Sequence, residues 1–139
     1  MFNATDLIER EFNKEKIKCT PILLPDQSCI TAGFSNKNCS FTLNFVSTDD
    51  SNTVCAIAED IAQVPEDKLT NACIAINFIN QKYRYAKFSV APNGAIMATY
   101  DFPAKTPSEA VGPIAVEIVM RFYEIVDEAY SDIMRAVWG

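Results

Sequence analysis

The stretch VPEDKLTNACIAINFINQKYRYAKFSVAPNGAIMATYDF, residues 64–102, decides the order of elements in this chain. Pro65 suits the first turn of a helix, and Glu66 and Asp67 complement the positive end of its dipole. Leu69, Cys73 and Ile76 recur at i, i+4 and i+7, which predicts one apolar helical face. The period then changes. Ala86, Phe88 and Val90 alternate, as do Ile96, Ala98, Tyr100 and Phe102. Between them, Asn93-Gly94 predicts a tight hairpin, since both residues tolerate positive φ. A helix running directly into an antiparallel hairpin is the reading.

This helix is oily on two sides. At 100° per residue Leu69, Ala72, Cys73 and Ile76 cluster, and Ile74 and Phe78 fall nearly opposite. A helix with two apolar faces is buried on both. Either the last helix covers the second face or a second copy of the chain does. The second copy is favoured, because the last helix has a wide stripe of its own to bury and twofold dimers are the commonest oligomers. Ile74 and Phe78 are therefore the expected dimer contacts. Asn77 and Asn80 allow two readings. Structurally, Asn80 would close the helix in the left-handed conformation, and Asn77 would bond to the chain leading into the next strand. Functionally, either would touch a partner.

Working outward, residues 3–14 read as a short amphipathic helix with Leu7, Ile8 and Phe12 on one side and Asn3 or Thr5 as cap. Pro21 and Pro25 bar a continuing helix and favour an extended segment between them. Three alternating runs follow: Ile30, Ala32, Phe34; Phe41, Leu43, Phe45; and Val54, Ala56, Ala58. The polar turns SNKN and STDDSN separate them, predicting a three-stranded antiparallel meander. At the far end, TPSE at 106–109 has the form of a capping box. Gly112-Pro113 marks either a short turn before a helix starting near Pro113 or a kink. From Ile114 to Val137, Ile118, Phe122, Ile125, Ala129 and Ile133 form an apolar stripe. Glu117, Arg121, Glu124, Glu128 and Arg135 form a solvated one. The expected order is α-β-β-β-α-β-β-α. This is an α+β fold, a single domain over residues 1–139, its antiparallel sheet packed by helices on one face.

Composition narrows the function. Apolar residues are 49% and charged residues 22% of the 139, as in a folded globular chain. No run approaches the roughly 20 apolar residues of a membrane span. The opening MFNATDLIEREF lacks the pattern of a signal peptide, so a cytoplasmic location is expected. Histidine is absent, which removes Ser-His-Asp and Cys-His catalysis and most zinc enzymes. Cys19, Cys29, Cys39, Cys55 and Cys73 are odd in number and show no metal-ligand spacing, so reduced thiols filling apolar gaps are expected. No cofactor or metal is implied. The net charge of -6, with no concentrated basic face, argues against nucleic acid and favours a soluble, acidic protein.

The stretch around Val64, Pro65, Glu66, Asn77, Asn80, Phe88, Gly94 and Met97 resembles the YbjN family of bacterial proteins. That family shows a Val-Pro-Glu start, a helix ending in Asn-x-x-Asn, a strand, a Gly turn and a second strand. The element order is similar to the type III secretion chaperone-like fold that YbjN proteins share. The resemblance implies a homodimer that binds protein rather than catalyses. Chaperones of this fold hold an extended segment of a client along their helices and sheet.

Three functions compete at this stage. The favoured one is a non-enzymatic, protein-binding homodimer, chaperone-like or a regulatory adaptor, whose client is unknown. A peptide would add to a strand edge or lie in an apolar groove, with Phe41, Phe45 and Tyr85 as candidate contacts beside Asn77 and Asn80. An alternative is a small-ligand sensor with a pocket between the sheet and the C-terminal helix, where Tyr100, Tyr123 and Tyr130 would place hydroxyls. The third is a carboxylate enzyme using Asp49-Asp50, Glu59-Asp60 or Glu66-Asp67. It is disfavoured because adjacent strand residues point to opposite faces and aspartates in turns are ordinary.

Overall fold

The structure, a computed structural model, describes residues 3–48, 53–104 and 108–138. Helix α1 (Asn3–Lys14) leads into strands β1 (Thr20–Leu23), β2 (Ser28–Ser35), β3 (Ser40–Ser47) and β4 (Thr53–Gln63). A 3-10 turn (Glu66–Lys68) opens α2 (Leu69–Lys82). Strands β5 (Lys87–Val90) and β6 (Ala95–Pro103) follow. A second 3-10 turn (Ser108–Ala110) precedes α3 (Val111–Trp138). The six strands form one antiparallel sheet in the order β1-β2-β3-β4-β6-β5.

Alternation decides which face meets the helices. The register aligns Ile30 with Phe45, Phe45 with Ala56, and Ala56 with Tyr100. Ile30, Leu43, Phe45, Val54, Ala56, Ala58, Ala98 and Phe102 are buried and join one core with Ile8 and Phe12 of α1, Ile76 and Ile79 of α2, and the stripe of α3. At its centre the rings of Phe12 and Phe45 meet edge to face, 5.4 Å apart. The opposite face carries Thr31, Asn44, Val46, Cys55, Ile57 and Thr99, all half-buried.

The extended segment between the two prolines pairs with β2 and adds an edge strand to the expected order. Leu24 N–H donates to the Gln27 carbonyl (2.9 Å), closing a two-residue turn. Antiparallel alternation then puts Pro21 in a pair that makes no hydrogen bonds to β2. Its missing N–H faces the open edge, where a donor would otherwise invite another strand.

Three local expectations change. The β5–β6 connection is not a two-residue turn with two positive φ values. Gly94 alone is left-handed (φ 88°); its N–H donates to Ala91, and Ala91 N–H donates to Ala95. A four-residue turn followed by a glycine bulge results. Added Cβ atoms at Gly94 would collide with the Val64 carbonyl. In β4, Asp60 (φ 61°) sits in a bulge between Ala58 and Ala62, so Glu59 and Asp60 do not simply alternate. α3 begins at Val111, so a short turn precedes it and Gly112-Pro113 lies inside its first turn, where a proline breaks no helical bond. Gly112 packs so closely on Glu11 and Leu7 that a Cβ there would lie 2.7 Å from Glu11 Cβ. The capping residues Thr106 and Pro107, and Asp49-Asp50, lie outside the described residues.

Candidate functional site

Two surfaces stand out. The first is the outer face of α2. Its buried side, Ala72, Ile76 and Ile79, packs on α3 and β5. Its outer side leaves Ile74 55% and Phe78 65% exposed. From Leu69 to Gln81 no residue carries a charge. Thr70, Asn71, Cys73, Asn77 and Gln81 surround the two large side chains with neutral polar groups. α3 covers the inner face only, and among the described residues nothing covers Ile74 and Phe78. Asn77 is exposed on the same uncharged face.

The second surface is a groove between α3 on one side and β6 with residues 83–85 on the other. At one end is a cavity of 320 Å³, lined by Tyr85, Tyr100, Phe102, Val111, Ile114, Glu117 and Ile118 among others. It lies between the sheet and the C-terminal helix. Beyond Tyr85 a shallower cavity of the same volume runs between Lys82–Tyr85 and Arg121, Glu124, Ile125 and Glu128. Tyr85 lines both. Its ring lies 5.8 Å from that of Tyr100, and the Arg121 guanidinium sits 4.9 Å above it. Arg121 Nη2 also donates to Glu117 Oε1 at 3.2 Å. At the far end Tyr83 donates to Glu128 Oε2 (2.6 Å). Burial first, then that hydrogen bond, holds the Tyr83 phenol above the ordinary tyrosine range.

The candidate partner residues separate. Phe41 and Phe45 are core residues, 3% and 0% exposed, because β3 turns its odd-numbered residues toward the helices. A side chain sealed in the core meets no partner in this state, so these two leave the list of contacts. Tyr85 is half-buried on the groove. Asn80 is structural: its side-chain amide donates to the Phe88 carbonyl (3.0 Å) and accepts from the Phe88 N–H (2.7 Å). It thus does the task assigned to Asn77, and α2 runs on to Lys82 with no left-handed residue at Asn80. Lys87 Nζ closes the helix instead, donating to the carbonyls of Asn80 (2.7 Å) and Tyr83 (2.6 Å). Of the three tyrosines placed in a pocket, Tyr100 alone lines it. Tyr123 donates to the Ser35 carbonyl (3.1 Å), tying α3 to the β2–β3 turn.

Among the described residues the acidic pairs do not converge. Glu59 accepts from Asn44 (3.3 Å) on the open face of the sheet, and Glu66 and Asp67 lie in the 3-10 turn before α2. Among the described residues no three His, Cys, Asp or Glu side chains gather into a metal-binding group. Cys55 is half-buried, and burial, followed by its hydrogen bond to Asp101, pushes its thiol up to about 12. No helix of the described residues is long and apolar enough to cross a membrane. No local pattern in the sequence signals the Arg121–Tyr85 stack, which joins residues from α3 and the α2–β5 connection.

This arrangement defines an α+β fold of the YbjN type: a six-stranded antiparallel sheet with three helices on one face. The chain is similar in structure to YbjN of E. coli, whose crystal structure describes a candidate transcription regulator, with a TM-score of 0.62 over 91% of both chains and 12% sequence identity. No protein-family model and no curated protein matches the sequence.

Proposed function

We propose that this chain is a non-enzymatic, protein-binding homodimer, chaperone-like or a regulatory adaptor, paired through the outer face of α2. The observation that carries the reading is the exposure of Ile74 and Phe78 on a helix face without charge. Large apolar side chains grouped on a neutral surface are the composition of an interface centre, from which charged residues are depleted. The net charge of -6 adds a reason for where the copies meet. Like charges oppose self-association wherever the two surfaces bear them, and this helix bears none between Leu69 and Gln81. Twofold symmetry would set Phe78 of one protomer near Ile74 of the other across antiparallel helices.

The fold shared with YbjN, described as a candidate regulator, supports a regulatory or binding role, and the type III secretion chaperone-like element order supports a protein client. Asn77, on the same face, and Tyr85, on the groove, are the contacts retained for pairing and for the client. Light scattering after gel filtration tests the pairing: a mass of two chains at micromolar concentration supports it, and a monomer that stays folded at high concentration refutes it. Affinity purification from the native cell tests whether a second protein accompanies the dimer.

A further inference from the structure

The cavity beside Tyr85 is separate from the α2 face assigned to pairing, and its chemistry has a definite sign. Phe102, Val111 and Ile118 are buried and form its floor; Tyr85 and Tyr100 are half-buried and Glu117 is exposed, so they stand toward solvent. Aromatic faces carry negative electrostatic potential and attract cations. Among the described residues, Glu117 brings the one carboxylate to the lining, and no lysine or arginine lines it. At 320 Å³ it falls within the range of about 300–1,000 Å³ typical of small-molecule sites, which pair apolar walls with a few polar groups.

The chain itself shows what this ring and this carboxylate hold. The Arg121 guanidinium, approaching from the neighbouring cavity, stacks on Tyr85 at 4.9 Å and bonds to Glu117 at 3.2 Å. That ion pair is exposed on both partners, so little free energy is lost when Glu117 turns to another cation. The net charge of -6 attracts cations to the surface as a whole and repels anions.

We infer that this cavity binds a small organic cation with an apolar body, an alkyl- or arylalkyl-ammonium. The body rests on Phe102, Val111 and Ile118, and the ammonium head sits among Tyr85, Tyr100 and Glu117, competing with Arg121 for the ring and the carboxylate. An anion of the same shape would find no cation on the described lining, and the Arg121 guanidinium above Tyr85 is already engaged.

Three probes with one body test this: hexyltrimethylammonium, hexanol and hexanoate, titrated into the full chain and followed by NMR of the tyrosine rings. The cation is expected to shift Tyr85 and Tyr100 saturably and to bind about tenfold more tightly than either analogue. Glu117→Gln should weaken it about tenfold. Arg121→Gln should tighten it several-fold by freeing the ring and the carboxylate. Both positions are exposed, and an unchanged melting temperature verifies the fold of each variant. Equal binding of all three probes overturns the inference, as does preference for hexanoate, loss of cation binding in Arg121→Gln, or no saturable shift at the two tyrosines.

Discussion

Asn80 and Phe88 pair as two strands pair. The asparagine side chain presents a donor and an acceptor to the carbonyl and N–H of Phe88, at 3.0 and 2.7 Å. The end of α2 is thereby held against the start of β5, across a connection of four residues. Leaving both partly buried backbone groups without these partners costs roughly 2 kcal/mol. Asn80→Ala should lower the urea midpoint accordingly, and Asn80→Asp, which keeps the acceptor, should fall between. Asn77→Ala, at an exposed position, should stay within about 0.5 kcal/mol of the parent.

The pairing reading makes Ile74 and Phe78 separable from the fold. Both are exposed in the single chain, so Phe78→Glu and Ile74→Glu should leave its circular dichroism spectrum intact. Each should halve the mass measured by light scattering, because an unpaired carboxylate would be buried against an apolar side chain of the partner copy. An unchanged mass in Phe78→Glu removes that residue from the interface.

Phe45 behaves in the opposite way. It is fully buried and meets Phe12 edge to face at 5.4 Å. Phe45→Ala should cost about 3–5 kcal/mol, the range for emptying an aromatic site in a core. The loss is to be read from chemical denaturation, not from a binding assay.

Gly94 carries both a left-handed φ of 88° and a close approach to the Val64 carbonyl. Any side chain there strains the β5–β6 turn and pushes β6 from the chain entering α2. Gly94→Ala should cost about 2 kcal/mol and lower the melting temperature by several degrees. Asn93→Ala should cost less, since it loses one exposed bond from its side chain to Ala95 N–H.

Two cysteines should differ in chemistry. Cys73 is exposed on α2, and Cys55 is half-buried with its thiol pushed from 9.0 up to about 12. The thiolate is the reactive form, so in the Phe78→Glu chain, whose α2 face is left unpaired, iodoacetamide at pH 8 should label Cys73 well before Cys55, as mass spectrometry of timed digests will show. The shift also has a sign for stability. The fold favours the protonated Cys55 thiol, so its contribution is complete below about pH 9 and is lost as the pH climbs toward 12.

The division between sequence and tertiary structure follows the range of the forces involved. Alternation over 30–34, 41–45, 54–58 and 96–102, the stripe of the last helix and the proline-led start of α2 are local patterns. Each is imposed by the geometry of one element, and together they determine the α+β order and the buried face of the sheet. The same patterns mark Ile74 and Phe78 as misplaced on a lone helix. What a pattern cannot hold is a distance between elements. That Asn80, not Asn77, reaches Phe88 depends on where the chain turns after Lys82. That Pro21 blunts the outer edge depends on the β1–β2 register, and that Gly94 alone turns left-handed depends on its approach to Val64. Phe45 and Tyr85 look alike as aromatic residues in or beside strands. Packing seals the first against Phe12 and leaves the second open beneath Arg121, because burial is decided by what lies across the fold, and the chain folds back from far along the sequence to supply it.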